Sequence, residues 1–119
     1  MVKVDNLKFG SIVVGGKEYQ RDILIFPDGS IEERKGGFGM FGDHAITKME
    51  IEKLVEANPD TVVVGTGTSG VASLVSDARA YAQQSKAELL SLSAFEAIER
   101  FNKLVDEGKR VAALIHITC

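Results

Sequence analysis

The 119-residue chain carries 14 Lys and Arg against 17 Asp and Glu, a net charge of −3, with 45% hydrophobic and 26% charged residues. This is ordinary globular composition, and the length suits a single domain spanning 1–119 that buries roughly two-thirds of its unfolded surface. Scattered basic residues argue against a nucleic-acid partner, no apolar run approaches the ~20 residues of a membrane span, and a lone cysteine, Cys119, excludes an internal disulfide or a Cys-x-x-Cys centre.

The first third reads as strands. Phe9 to Val14 is apolar and β-branched, Gly15-Gly16 is a turn dipeptide, and Lys17 to Gln20 can return as a hairpin partner. Asp22 to Phe26 is a compact apolar strand. Pro27-Asp28-Gly29 is a turn, with Pro and Gly suited to different backbone angles, and Ser30 to Lys35 returns as a charged strand. Four glycines then surround Phe38, Met40 and Phe41 in the segment Gly36 to Gly42, which reads as a mobile loop.

The remainder alternates between helix and strand. Thr47 and Glu50 have capping-box spacing and open a helix over Lys48 to Ala57, with Ile51, Leu54 and Val55 on one face. Asn58-Pro59-Asp60 stops it. Thr61 to Val64 is a buried strand, and Val71 to Gln84 reads as a helix with Val71, Leu74, Val75, Ala78 and Ala82 inward. Ala87 to Leu92 is a strand. Ser93 and Glu96 form a second capping-box spacing before a helix that runs to Asp106, with Phe95, Ile98, Phe101, Leu104 and Val105 apolar, and Gly108 ends it. Val111 to Ile117 is almost wholly apolar, as expected of a central strand covered on both faces. The order β-β-β-β-α-β-α-β-α-β predicts an α/β domain with a partly parallel sheet and an antiparallel N-terminal portion. The charged segment Ser30 to Lys35 would protect an edge from pairing, which favours a monomer.

One motif proposes a site with a physical reason. Val62 to Val64 leads into Gly65-Thr66-Gly67-Thr68-Ser69-Gly70, a Gly-x-Gly-x-x-Gly arrangement after a strand. Glycines permit a tight turn and close approach of a ligand to the backbone. The hydroxyls of Thr66, Thr68 and Ser69 can donate to phosphate or carboxylate oxygens, and a following helix start adds a favourable dipole. A dinucleotide would also need an acid at the end of the next strand, whereas Glu88 lies at its start. The same pattern recurs at Gly37, Gly39 and Gly42 after a charged segment and before no helix, so the pattern alone is not specific.

Other chemistry-bearing residues are sparse. His44, His116 and Cys119 are the only imidazole and thiol groups. A strand places His116 and Cys119 on opposite faces, which disfavours a metal or nucleophilic pair. The alternative is a hydrogen-bonded histidine near the sheet end. Among Asp22, Asp28, Asp43 and Asp77 no carboxylate pair follows from spacing, although Asp22 precedes a strand and could lie near a pocket. Phe38, Met40 and Phe41 could cap a pocket, contact a protein partner, or tuck into the domain's own core.

Several segments together resemble a known family: Phe9 to Val14, Asp22 to Gly29, Pro59 to Gly67, Phe95 to Asn102 and Lys109 to Ile115. This is the small α/β domain typified by a methanobacterial structural-genomics protein and shared with mitochondrial complex I assembly factor 3 and an adipogenesis-associated vertebrate protein. The ending Ile115 to Cys119 resembles the archaeal branch. The resemblance covers nearly the whole chain. It implies a three-layer fold around a mixed five-stranded sheet, and a family with no established enzymatic activity. The glycine-rich segment Gly36 to Gly42 departs from the polar residues expected there.

The reading that results is a cytoplasmic, non-catalytic binding or scaffold domain without a cofactor or metal. Its expected partners are a small anion at Gly65 to Gly70, another protein, or both. The alternative is an enzyme acting on a small anionic substrate at that turn, with His44, Asp22 or Arg34 supplying chemistry.

Overall fold

The computed structural model describes residues 2–34 and 45–119. A three-stranded antiparallel sheet comes first, built from β1 (Val4–Lys8), β2 (Ser11–Val14) and β3 (Lys17–Tyr19) in that order. The central sheet contains β4 (Ile23–Ile25), β5 (Ile31–Glu33), β7 (Thr61–Thr66), β9 (Glu88–Leu92) and β10 (Val111–His116), in the spatial order β5-β4-β10-β7-β9. Strand β10 runs parallel to β7 and antiparallel to β4, and β7 runs parallel to β9, so the sheet is mixed as expected. Two short strands, β6 (Ala45–Ile46) and β8 (Ser73–Leu74), pair with each other.

Three helices cover the central sheet: α1 (Lys48–Glu56), α2 (Ser76–Gln84) and α3 (Ala94–Asp106). Alternation along β10 separates two cores. Val111, Ala113 and Ile115 face Phe101 and Ala97 of α3, together with Ile12 and Val14 of the N-terminal sheet. Ala112 and Leu114 face Ile51 and Leu54 of α1 and Ala78 and Ala82 of α2. Burying both faces requires the continuous apolar run that β10 carries. Asn102 fastens the N-terminal sheet to α3, because its side-chain amide donates to the Val4 carbonyl and its side-chain oxygen accepts the Val4 amide, both at 2.9 Å.

Three local expectations change. Strand β1 is an additional element, and Phe9 lies in the turn after it, not in a strand. The predicted helix from Val71 begins instead at Ser76, because Ser73–Leu74 is extended and pairs with Ala45–Ile46. Val71 is therefore exposed, while Ala78 and Ala82 face inward as predicted. The Ser93 hydroxyl meets the Glu96 carboxylate at 2.8 Å but makes no side-chain bond to the helix backbone. Among the described residues, no helix is long and apolar enough to cross a membrane.

Candidate functional site

The parallel strands bring their carboxyl ends to one end of the sheet, where α/β folds commonly hold ligands. Three pieces meet there: the turn after β7, the segment after β10, and the start of α3 after β9. Strand β4 runs the other way, so its entry residue Asp22 arrives beside the exit of β10. Arg34, which follows β5, lies across from Asp22 and donates its amide to the Asp22 carbonyl at 2.7 Å.

The glycine turn is built differently from a helix-opening phosphate loop. Gly65 belongs to β7, and a Cβ there would lie 3.2–3.3 Å from Ile115, Ala94 and Ala97, so this glycine serves close helix–strand packing. The Thr66 hydroxyl donates to the Leu92 carbonyl at 2.9 Å. The Thr68 amide donates to the Thr118 carbonyl at 2.7 Å, and the Thr68 hydroxyl donates to the same oxygen at 3.3 Å. The Val71 amide donates to the Cys119 carbonyl at 2.9 Å, and the Gly70 amide to the Gly67 carbonyl at 3.1 Å. Three amides of this turn, those of Thr68, Gly70 and Val71, are thus engaged by the chain's own carbonyls. Ser69 and Gly70 are exposed.

Beside this turn lies a buried polar cluster. Asp22 Oδ2 accepts from His116 Nδ1 at 2.7 Å and from Arg34 Nη1 at 2.9 Å, while Oδ1 accepts the Ile117 amide at 2.9 Å. Arg34 also donates from Nε and Nη2 to the Glu50 carboxylate, and from Nη2 to the Ala45 carbonyl at 2.6 Å. Glu50 in turn accepts the Thr47 amide at 3.0 Å, so the residue that caps α1 also orients the arginine. Burial opposes charge on Asp22, but the bonds from His116, the Ile117 amide and Arg34 outweigh it and hold the carboxyl below its ordinary range. Burial likewise opposes charge on Arg34, and the Glu50 and Asp22 carboxylates outweigh it.

Thr118 joins the two features. Its carbonyl accepts from the glycine turn, and its Oγ1 lies 3.2 Å from His116 Nε2. An ionised Asp22 favours a proton on Nδ1, and in that neutral tautomer Nε2 accepts from the Thr118 hydroxyl. Hydroxyl, imidazole and carboxylate therefore stand in the order of a nucleophile relay. Asp22 and His116 lie 94 positions apart in the chain, so spacing could not pair them. Asp28 is a turn residue, its carboxylate accepting from the Ser30 amide and hydroxyl. Asp77 lies in the first turn of α2. Among the described residues no three His, Cys, Asp or Glu side chains converge as a metal site. Phe38, Met40, Phe41, Asp43 and His44 lie outside the described residues.

The rim of this end carries a feature that periodicity missed. Among the described residues the strongly exposed large apolar side chains are Phe9 (67%), Met49 (76%), Val71 (54%) and Phe95 (51%). Three of them stand at or beside a residue whose backbone amide bonds into the site. Gly10, after Phe9, donates to the Ile117 carbonyl, Val71 donates to Cys119, and Ala94, before Phe95, donates to Gly67. Met49 precedes Glu50 of the polar cluster. A large aromatic beside a turn glycine, as at Phe9-Gly10, is the signal that was available.

Residues 4–116 match the family described as protein of unknown function DUF498/DUF598, and the chain belongs to that family. It is 31% identical to the protein MT938, with a TM-score of 0.80 and complete coverage of both chains. It is also 32% identical to the conserved hypothetical protein PH1505 of Pyrococcus horikoshii, with a TM-score of 0.78 over 98% of this chain and 99% of that one. An outer membrane protein from Bartonella henselae is 20% identical over 99% of this chain and 96% of that one, with a TM-score of 0.75, and shares the fold.

Proposed function

We propose that this DUF498/DUF598 domain is a non-catalytic binding or scaffold domain that docks a protein partner on the apolar rim at the carboxyl end of its central sheet. The observation that carries this reading is the exposure of Phe9, Val71 and Phe95, each at or beside a residue whose amide bonds into the carboxyl end of the central sheet. Grouped exposed apolar residues commonly mark interaction surfaces, whereas scattered ones do not. The polar groups beneath the rim support the same reading. Asp22, Arg34, Glu50 and His116 bond to one another, which suits a rigid platform. The resemblance to an assembly factor points the same way by analogy.

The test compares proteins retained by the immobilised domain with those retained by Phe9→Ser and Phe95→Ser variants. Lys109→Ser serves as the control, since Lys109 is exposed just before Arg110 and β10, at the opposite end. A partner lost with both rim variants and kept by the control is the expected result. Equal retention by all three removes the reading.

A small anion at Gly65 to Gly70 is a finer form of this reading. It would have to replace the Thr118 and Cys119 carbonyls as acceptors from Thr68 and Val71. Phosphate or sulfate at 100 times its Kd would add about 2.7 kcal/mol to the folded state. No thermal shift with either anion removes this form and leaves protein docking untouched.

The Thr118–His116–Asp22 geometry favours a second reading, an enzyme acting on a small anionic substrate held at the turn. Thr118 would be the nucleophile, His116 the base and Asp22 the group that orients the base. Acylation of Thr118 by p-nitrophenyl acetate, lost in His116→Asn, is the expected sign. Absence of that adduct removes the reading.

A further inference from the structure

The two edges of the central sheet are unlike. Strand β5 is three residues long and carries Glu32 and Glu33, a short charged edge of the kind that resists pairing. Strand β9, Glu88–Leu92, is five residues long, contains no proline, and carries a single charge at its first position. Among the described residues, no strand pairs with its outer side.

Backbone bonds fix which groups point outward. Glu88 donates its amide to Asp60, and Ala94, just beyond the strand, donates to Gly67. Even-numbered residues of β9 therefore turn their main chain toward β7. Alternation turns the amides and carbonyls of Leu89 and Ser91 away from the sheet. These are the groups an added strand would engage.

We infer that β9 is a self-pairing edge on which a second copy of this chain adds its own β9 in antiparallel register about a two-fold axis at Leu90. Three features of the strand fit this occupant. First, the register places Leu89 of each copy opposite Ser91 of the other, so the outward groups become the doubly bonded pairs of an antiparallel ladder. Second, Leu90 meets its own counterpart at the closely spaced, non-bonded position, an apolar contact on the axis. Third, the register keeps the two Glu88 residues apart, each opposite Leu92 of the other copy. Leu92 borders a cleft with Glu96, Glu99, Arg100 and Lys103 of α3. Residues Glu88, Leu90 and Leu92 share the α3 face by alternation, and Leu90 and Leu92 pack in that core. Glu88 of one copy thus approaches a cleft of the other whose lining carries two acids, Glu96 and Glu99, and two bases, Arg100 and Lys103, so the pairing rests on the outward backbone groups and on Leu90, not on charge. Two five-stranded sheets would join into one of ten. This inference is independent of the docking rim, which lies at the carboxyl end.

The test measures molecular mass across a concentration series up to about 1 mM by analytical ultracentrifugation, for the intact chain and two variants. Ser91→Pro deletes an outward amide that the fold does not use, and edge strands tolerate proline at such positions. Leu90→Lys sets two like charges opposite each other on the axis. The expected result is a concentration-dependent dimer that each variant weakens by at least about tenfold, while thermal unfolding of the dilute monomer confirms that each variant folds. A monomer at every concentration overturns the inference, and so does a dimer that Ser91→Pro and Leu90→Lys leave intact.

Discussion

Gly67 packs its α-carbon against Cys119 so closely that a Cβ at this position would lie 2.6 Å from the Cys119 carbonyl oxygen, and its φ is +109°. The space above the turn is filled by the chain's own backbone. Gly67→Ala is therefore a stability variant: the strained backbone alone costs about 1–3 kcal/mol, and the clash with Thr118 and Cys119 adds to it. Urea denaturation should show this loss without any ligand present. A Gly67→Ala protein as stable as the parent would contradict the packing described at the turn.

Asp22 lies at the centre of the buried cluster, so Asp22→Asn leaves Arg34 short of one carboxylate and His116 short of its charged partner. Breaking a buried pair in this way costs about 3–5 kcal/mol. The pH dependence has a definite sign. The folded carboxyl titrates below its ordinary value of 3.8. Its contribution is fully present above that value and is lost as pH falls through the folded pKa. Below about pH 4 the stability of the parent should fall more steeply than that of Asp22→Asn. Parallel acid profiles would show that Asp22 contributes nothing by ionising.

The apolar rim and the apolar core should respond oppositely to substitution. Phe9→Ser and Phe95→Ser change exposed side chains, and each should shift stability by no more than about 0.5 kcal/mol. Phe101 is fully buried on α3, and Phe101→Ala should cost about 3–5 kcal/mol. Chemical denaturation of the three variants checks both halves. A large loss from either rim variant would mean that the side chain serves the fold.

Asn102 satisfies both main-chain groups of Val4. Asn102→Ala leaves a partly buried amide and carbonyl without their partner, at a cost of about 1–3 kcal/mol. Hydrogen exchange should quicken at the Val4 amide and through β1 and β2, while β7 and β10 keep their protection. Unchanged exchange at Val4 would contradict this fastening.

Residues that report their surroundings by periodicity were legible in the sequence. The apolar run Val111 to Ile115 marks a central strand because both faces need covering, and Thr47 with Glu50 marks the start of α1. The entry to α2 was not legible. Val71, Leu74 and Val75 have helical spacing, but Leu74 is drawn into an extended pair with Ile46, a partner that no local pattern reveals. Strand β1 was missed because Asp5, Asn6 and Lys8 are exposed and obscure the alternation. Within the site, the glycines located the turn; Gly65 and Gly67 admit neighbouring backbone and side chains, and Gly70 holds a φ of +68°. The polar cluster assembles Asp22, Arg34, Glu50 and His116 from four separate segments, so only the topology brings them together. Glu50 was legible as a cap and not as an arginine partner, because one carboxylate does both.

The docking claim is tested most directly by placing a photoreactive amino acid at Phe95, and separately at Lys109, in cells that express the protein. The account predicts discrete protein adducts from position 95 that are absent from position 109. Adducts of the same pattern from both positions, or none from position 95, would contradict it.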